Sequence, residues 1–352
     1  MTNCTSMQQF TFVEPHRFEW REVPSPRIDS PVQAIVRPLV VTRCDLDLYI
    51  ANGSAKVKSG NFAFGHEIAA EVVEIGDGVS HFVPGDMVVV PFQINCGTCD
   101  NCRRGYTNAC SSVPAYSAYG LAPSSGKEWG GGLSDLLLVP FADAMLVNIP
   151  EGVSLPVAAA ISDNASDGYR AVAEPLRNRP GSDVLIVGGM AQSVGLFSIQ
   201  VAIAMGAGRV VYTDFDAERL AHARTLGAEV IKTEYRPLMP VEWQFPIVVD
   251  ASNVPEGLIF ALNSTAPCGI CTGISAGAAI MDGLPLVQMY MKGITYDISR
   301  VHARATIEKV MDCVRCGSIN HKDVITTTLP FSSAADAMTD SDVKIAFVRD
   351  TV

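Results

Sequence analysis

The chain has 352 residues, 48% of them apolar, and a formal net charge of −11. That length is enough for two domains, each with its own core. The acidic balance and the lack of a dense basic tract argue against nucleic acid or an anionic membrane surface as a partner. No apolar run approaches the roughly 18 to 20 residues that a membrane span needs. The opening stretch, MTNCTSMQQFTFVEPHRFEW, lacks the basic start, apolar run and small-residue cleavage site of a secretory signal. A cytoplasmic location is therefore expected, and a reducing compartment suits thiolate ligands.

Between residues 30 and 95 the β-rich runs VQAIVRPLVV, IAAEVVEIG and DMVVVPF alternate with turns such as Val83-Pro84-Gly85-Asp86. The pattern predicts a strand-rich, barrel-like unit. Two polar groups interrupt it: Cys44-Asp45-Leu46-Asp47-Leu48-Tyr49, after the apolar PLVV run, and Gly65-His66-Glu67, which opens the IAAEVV strand. A catalytic zinc takes three protein ligands drawn from Cys, His and carboxylate and keeps one position open. Cys44 and His66 can supply two of the three. Asp47 can take the free imidazole N–H of His66 and fix its tautomer, and Glu67 stands beside the same ligand. Further on, CGTCDNCRRGYTNAC places Cys96, Cys99, Cys102 and Cys110 in one loop. Thiols at this spacing close a tetrahedron around zinc with no open position, so this metal pins a loop and does no chemistry.

Cys44-x-x-Asp47, Gly65-His66-Glu67, Val83-Pro84-Gly85-Asp86 and the four-cysteine loop, in this order, resemble the zinc-containing medium-chain alcohol dehydrogenases, and the resemblance covers essentially the whole chain. It implies a GroES-like β-rich catalytic domain joined to a Rossmann domain with a doubly wound parallel sheet, with the catalytic zinc in the cleft between them. By family position the third ligand is Asp163 in Ile161-Ser162-Asp163-Asn164, and Glu67 can approach the metal when water leaves. Two positions depart from the family. Leu46 stands where a Ser or Thr hydroxyl usually relays the alcohol proton, and Asp45 where many relatives carry Arg or Gly near the cofactor phosphates. Proton transfer is therefore expected through Asp167, or through a water held by Asp163 and Glu67. Leu46, with Phe92 and Trp129 nearby by family position, points to an apolar or aromatic alcohol rather than a free sugar.

From about residue 153 the pattern turns to alternating α and β. The buried strand Asp183-Val184-Leu185-Ile186-Val187 runs into the turn Gly188-Gly189-Met190-Ala191-Gln192-Ser193-Val194-Gly195, and a helical stretch follows from Leu196 to Gly206. Strand, glycine turn and helix are what a dinucleotide pyrophosphate requires. The next strand, from Arg209, ends in Asp214, an acid that can accept both ribose hydroxyls and repel a 2′-phosphate, so NAD is expected rather than NADP. Helix 217–227 and strands 229–231, 246–250 and 269–274 continue the doubly wound pattern. By family position, Val194 packs on the nicotinamide and the backbone near Thr272 holds its carboxamide. Cys268-Gly-Ile-Cys271 and Cys313-Val-Arg-Cys316 have redox spacing but lie in a predicted strand and a predicted helix, where core packing is expected. After Lys292-Gly293 the chain is expected to return to the first domain. The helix from Arg304 to Cys316 ends at Gly317, Lys344 matches a family residue that reaches the pyrophosphate, and His302 and His321 fit no ligand spacing.

These readings place residues 1–152 and 298–352 in the catalytic domain and 153–297 in the NAD-binding domain. The expected protein is an oxidoreductase with two zinc ions per chain, passing hydride between a small alcohol or carbonyl compound and NAD, as a homodimer or homotetramer. The alternatives are a polyol dehydrogenase, a zinc-free quinone or enoyl reductase, and a dinucleotide-binding protein without turnover.

Overall fold

The computed structural model describes residues 5–350 apart from 56, 58–59, 124–126, 236–243, 275–282 and 321–322; His321 lies outside the described residues. The chain forms two compact units, Met1–Ser166 with His302–Arg315 and Ile325–Val352, and Asp167–Val301 with Cys316–Val324. The division expected at 152/153 thus falls at Ser166. The reason is local: the helix Leu155–Ile161 buries Val157 to Ile161 and packs on strands of the first unit. Residues 316–324, expected in the first domain, group with the second unit.

The strands in chain order are β1 (Ser6–Glu14), β2 (Arg17–Pro24), β3 (Ala34–Thr42), β4 (Phe62–Ala63), β5 (Glu67–Ile75), β6 (Met87–Val90), β7 (Leu137–Val139), β8 (Val147–Asn148), β9 (Val184–Val187), β10 (Val210–Asp214), β11 (Glu229–Lys232), β12 (Phe245–Asp250), β13 (Thr265–Gly273), β14 (Thr295–Ile298), β15 (Thr327–Pro330) and β16 (Ile345–Val348). In the first unit one sheet has the order β2-β1-β4 and the other β15-β16-β3-β5-β6-β8, with β7 also on β3. Pro38 interrupts β3 without ending it, because the register against β5 shifts between Pro38 and Val40 and a bulge tolerates the missing N–H. Phe10, Phe12, Phe62 and Phe64, all buried, fill the core between the sheets. Phe18 stacks on Phe10 at 4.9 Å between ring centroids.

The C-terminal segment returns because β16 pairs antiparallel with β3, Ala346 opposite Thr42. Arg43, 2% exposed, locks this return by donating to the carbonyls of Ala337, Met338, Asp340 and Asp342 at 2.5 to 3.2 Å. One side chain answers four carbonyls, and its bonds to those of Ala337 and Met338 are buried.

The second unit is a six-stranded sheet of order β11-β10-β9-β12-β13-β14, with every pairing parallel. Strand β9, VLIV, is buried throughout, as a strand covered on both faces requires. The order reverses between β9 and β12, and ligands bind such sheets at the carboxyl ends of the strands beside that reversal. The helix after β9 runs Gln192–Ala204, four residues earlier than expected, so Val194 and Gly195 are helical and not part of the turn. Cys271 is buried as expected, but Cys268, with φ 55°, and Cys316 are exposed, so the core role expected of all four thiols holds only in part. Among the described residues no helix is long and apolar enough to cross a membrane.

Replacing Arg43 with Met removes the donors and leaves the carbonyls of Ala337 and Met338 buried. Arg43→Met is expected to lower stability by about 2 to 4 kcal/mol, read from urea denaturation followed by circular dichroism.

Candidate metal centre and nucleotide site

Strand β3 delivers its last residues to the start of the helix Asp45–Ala51, where Cys44 is the N-cap. A capping interaction shapes this corner, as the Cys44 backbone N–H donates to Asp47 Oδ2 at 3.0 Å. The other carboxylate oxygen, Oδ1, faces His66 Nδ1 at 3.2 Å, off the line of a well-formed hydrogen bond. His66 itself sits where the chain enters β5. Gly65 before it has φ +88°, and a Cβ on Gly120 would lie 2.1 Å from the Gly65 carbonyl oxygen, so close backbone packing holds the entry to the strand. Asp163 lies between the helices Leu155–Ile161 and Asn164–Asn178. Its turn is tied to β5 through Ser162 Oγ, which accepts the Ile68 N–H at 3.2 Å.

The structure brings Cys44, His66 and Asp163 together: all are buried, and one donor atom from each lies within 4.8 Å of the others. His66 Nε2 stands 3.4 Å from Asp163 Oδ2. Burial, with the Asp163 charge adding to it, pushes the Cys44 thiol up to about 12, so a cation is what lets it ionise near neutral pH. Burial lowers His66, but the Asp47 carboxylate and the hydrogen bond that the ring donates to Asp163 outweigh it and raise the imidazole well above its ordinary value. Thiol, imidazole and carboxylate, buried beside further acids, fit a divalent metal with an open position.

Glu67 Oε2 accepts from Thr42 Oγ1 at 2.5 Å and from Lys344 Nζ at 2.5 Å, and Oε1 accepts the Asn164 N–H at 3.0 Å. Burial pushes Glu67 up to about 7 against the lowering by Lys344. Lys344 is 0% exposed, and besides Glu67 it donates to Asn164 Oδ1 at 2.6 Å. The expected contact with a pyrophosphate is replaced by this buried pair: the ammonium answers Glu67. Asp167, expected to move a proton, is held by Arg170 Nε at 2.7 Å, and Arg170 also reaches Ser299 Oγ and the Gly273 carbonyl. Leu46 is 43% exposed and Phe92 buried, the Phe92 ring centroid 5.5 Å from that of His66. Trp129 packs against the aromatic core, and the His302 ring lies 5.3 Å from Tyr106.

The four-cysteine loop forms a second cluster, with its donors within 4.8 Å of one another. Backbone N–H groups of Thr98 and Cys99 point at Cys96 Sγ at 3.4 Å each, and the Cys96 N–H points at Cys110 Sγ at 3.4 Å. Such donors stabilise thiolates, and hydrogen bonds from the backbone and Ser111 pull Cys99 down to about 5.

In the parallel-sheet unit, Gly188 and Gly189 make the turn after β9. A Cβ on Gly188 would lie 2.6 Å from Asp214 Oδ2, and one on Gly189, at φ +147°, 2.7 Å from the Ser252 backbone. The turn is fixed from β12, since Met190 and Ala191 donate to the carbonyls of Ser252 and Ala251 at 3.0 Å each. Ser252 is in turn held by Asp250, whose Oδ1 accepts both its hydroxyl and its N–H. Val194 is buried in the helix, Gly195 comes close to Ala251, and Thr272 is buried in β13. No side chain caps the helix Gln192–Ala204. Asp214 is 0% exposed and already engaged: Arg219 Nε and Nη2 grip it at 2.8 Å each, with Tyr212 and the Asp216 N–H as further donors. The sequence reading missed Asn164, Thr42, Arg219, Asp250 and Ser252. Only Asp250-Ala-Ser252, a polar pair closing an apolar strand, carried a local signal.

Residues 30–151 match the family model described as alcohol dehydrogenase GroES-like domain, and residues 193–315 that described as zinc-binding dehydrogenase. The chain is similar to a glutathione-independent formaldehyde dehydrogenase of Pseudomonas aeruginosa, 34% identical over 62% of this chain; the match spans 57% of that relative's length. It is 30% identical to a medium chain reductase/dehydrogenase, ucsI, of an Acremonium species, over 72% of this chain and 82% of that one. Among solved structures it resembles alcohol dehydrogenase TADH from Thermus sp. ATN1, with a TM-score of 0.86 at 28% identity, covering 98% and 100% of the two chains. The chain therefore belongs to the zinc-containing medium-chain dehydrogenase family, its β-rich unit being the GroES-like domain and its parallel-sheet unit the Rossmann domain.

Proposed function

We propose that the protein is a zinc-dependent dehydrogenase that passes a hydride between an alcohol and NAD, giving an aldehyde or ketone. The convergence of buried Cys44, His66 and Asp163 donors within 4.8 Å supports this reading most directly. Zinc there supplies a Lewis acid for the substrate oxygen when bound. The chain's residues do the positioning. Asp47, anchored by the Cys44 N–H, faces the far nitrogen of His66 and so orients the ring. Glu67, held by Thr42, Lys344 and Asn164, keeps a negative charge beside the ligands without ligating in this arrangement. Cys96, Cys99, Cys102 and Cys110 hold a second, structural zinc. Exposed Leu46 next to Cys44 and Phe92 beside His66 favour an apolar or aromatic alcohol over a polyol.

For the cofactor we favour NAD. The turn at Gly188 and Gly189 and the uncapped helix behind it suit a pyrophosphate. Val194 and the backbone near Thr272 would flank the nicotinamide end, and Gly195 would lie in the first turn of the helix near the pyrophosphate. Asp214 can accept ribose hydroxyls once Arg219, which stacks over the Phe215 ring at 4.9 Å while it grips the acid, gives way. The side chains of Leu286, Val287, Tyr290 and Met291 are exposed, and among the described residues β14 is the end strand of its sheet; an apolar surface and a sheet edge in one unit suit pairing with a second copy. The described cysteines are all free thiols, in keeping with a cytoplasmic home.

Elemental analysis of the purified protein is expected to find two zincs per chain, with NAD reduction lost as the more labile one is chelated and faster with benzyl alcohol than with sorbitol. A single chelation-resistant zinc that added metal cannot supplement would overturn the catalytic centre, and a clear preference for sorbitol the apolar pocket. Fluorescence titration is expected to show NADH bound at least about ten-fold more tightly than NADPH, with Asp214→Ser erasing the difference. Sedimentation is expected to give a dimer or tetramer, and the double substitution Tyr290→Glu, Met291→Lys the next smaller species.

A further inference from the structure

We propose that Asn164 is a positioning residue for the metal centre: its side-chain amide, oriented by Lys344, directs an N–H at the Cys44 sulfur and at the Asp163 carboxylate, and so limits how strongly that thiolate donates to the metal. The inference rests on the zinc reading of Cys44, His66 and Asp163.

Asn164 is 3% exposed, and its backbone is clamped by the bond from its N–H to Glu67. Its side chain spans two kinds of charge. Oδ1 accepts from Lys344 Nζ at 2.6 Å, while Nδ2 donates to Cys44 Sγ at 3.2 Å and to Asp163 Oδ2 at 3.0 Å. The two ends of an amide have nearly the same shape, so the partners decide its orientation. An ammonium only donates, which places the oxygen at Lys344 and the NH2 at the ligands. The flipped amide would set N–H against ammonium and oxygen against sulfur and carboxylate.

The order of charge is therefore ammonium, amide dipole, thiolate. Each bond polarises the next where water is excluded. An N–H directed at a thiolate withdraws electron density from sulfur, so the metal keeps more of its positive charge for the substrate oxygen. One amide also ties two of the three ligands together. The Lys344 ammonium, itself fixed by Glu67 at 2.5 Å, thus acts on Cys44 through Asn164.

Cobalt(II) substitution tests this. The wild-type spectrum minus that of Cys44→Ser isolates the charge-transfer band of the Cys44 thiolate from those of the four-cysteine loop. In Asn164→Ala and Asn164→Asp the band is expected to move to longer wavelength, because an unbonded sulfur lone pair lies higher in energy. Because Cys44 and Asp163 lose the amide that ties them together, and that loss outweighs the stronger sulfur donor, zinc held at this site against a chromophoric chelator is expected to be about ten-fold weaker in Asn164→Ala, with the loop metal retained. Asn164→Asp preserves the side-chain size and the Lys344 contact while it removes the donor and sets a carboxylate oxygen in its place; both raise the sulfur lone pair, so the shift is expected there even where Asn164→Ala fails to fold. A band unmoved in the folded variants would overturn the inference and leave Asn164 a packing residue. No wild-type band abolished by Cys44→Ser would overturn the metal reading itself, and the inference with it.

Discussion

Lys344 and Glu67 meet at 2.5 Å with neither side chain exposed to water, and the β-rich unit is arranged around that contact. Breaking such a pair by removing one partner costs about 3 to 5 kcal/mol, because the other charge is stranded in a low dielectric. The register explains how the partners meet. Ala346 pairs with Thr42 in antiparallel strands, so continuing the pairing by two residues brings Lys344 level with Cys44. The C-terminal strand therefore has to return to β3, and the four carbonyls gripped by Arg43 hold it there. A discontinuous domain is the topological consequence of delivering one cation to a group of buried acids.

That cation changes what the ligand cluster can be. Cys44, His66 and Asp163 are collected from a helix cap, a strand entry and an inter-helix turn, and each is oriented by a partner of its own. Asp47 faces His66, Ser162 ties the Asp163 turn to β5, and Asn164 bridges Cys44 and Asp163. Partners of this kind set the position and basicity of metal ligands as much as the ligands' own identity does. Lys344 answers Glu67 and, through Asn164, is joined to Cys44 and Asp163 by hydrogen bonds.

The parallel-sheet unit solves a different problem. Its turn packs tightly against neighbouring strands, and Gly188 against Tyr212 and Asp214 and Gly189 against Ser252 leave no room for a Cβ. Rigidity comes from the neighbouring strand: Asp250 holds Ser252, and Ser252 and Ala251 hold the turn. Asp214 is fixed by Arg219, so the acid at the end of β10 is one half of a pair.

Local signals in the sequence announced much of this. The alternation of strands and helices in the second unit followed from its apolar runs, and the four-cysteine loop from spacing alone, because ligands close in sequence need no knowledge of the fold. Cys44 with Asp47, and His66 with Glu67, were legible for the same reason. Helix and strand ends shifted by a few residues, since tertiary packing decides whether a terminal turn forms. Asp163 was placed only by resemblance. The roles of Lys344, Asn164, Arg219 and Thr42 required the tertiary structure: each acts through a hydrogen bond or ion pair to a residue that its own neighbourhood in the chain does not identify. Residue type says what a side chain can donate or accept; only the packed strands, by excluding water and bringing residue 344 to residue 67, decide which partner it must have.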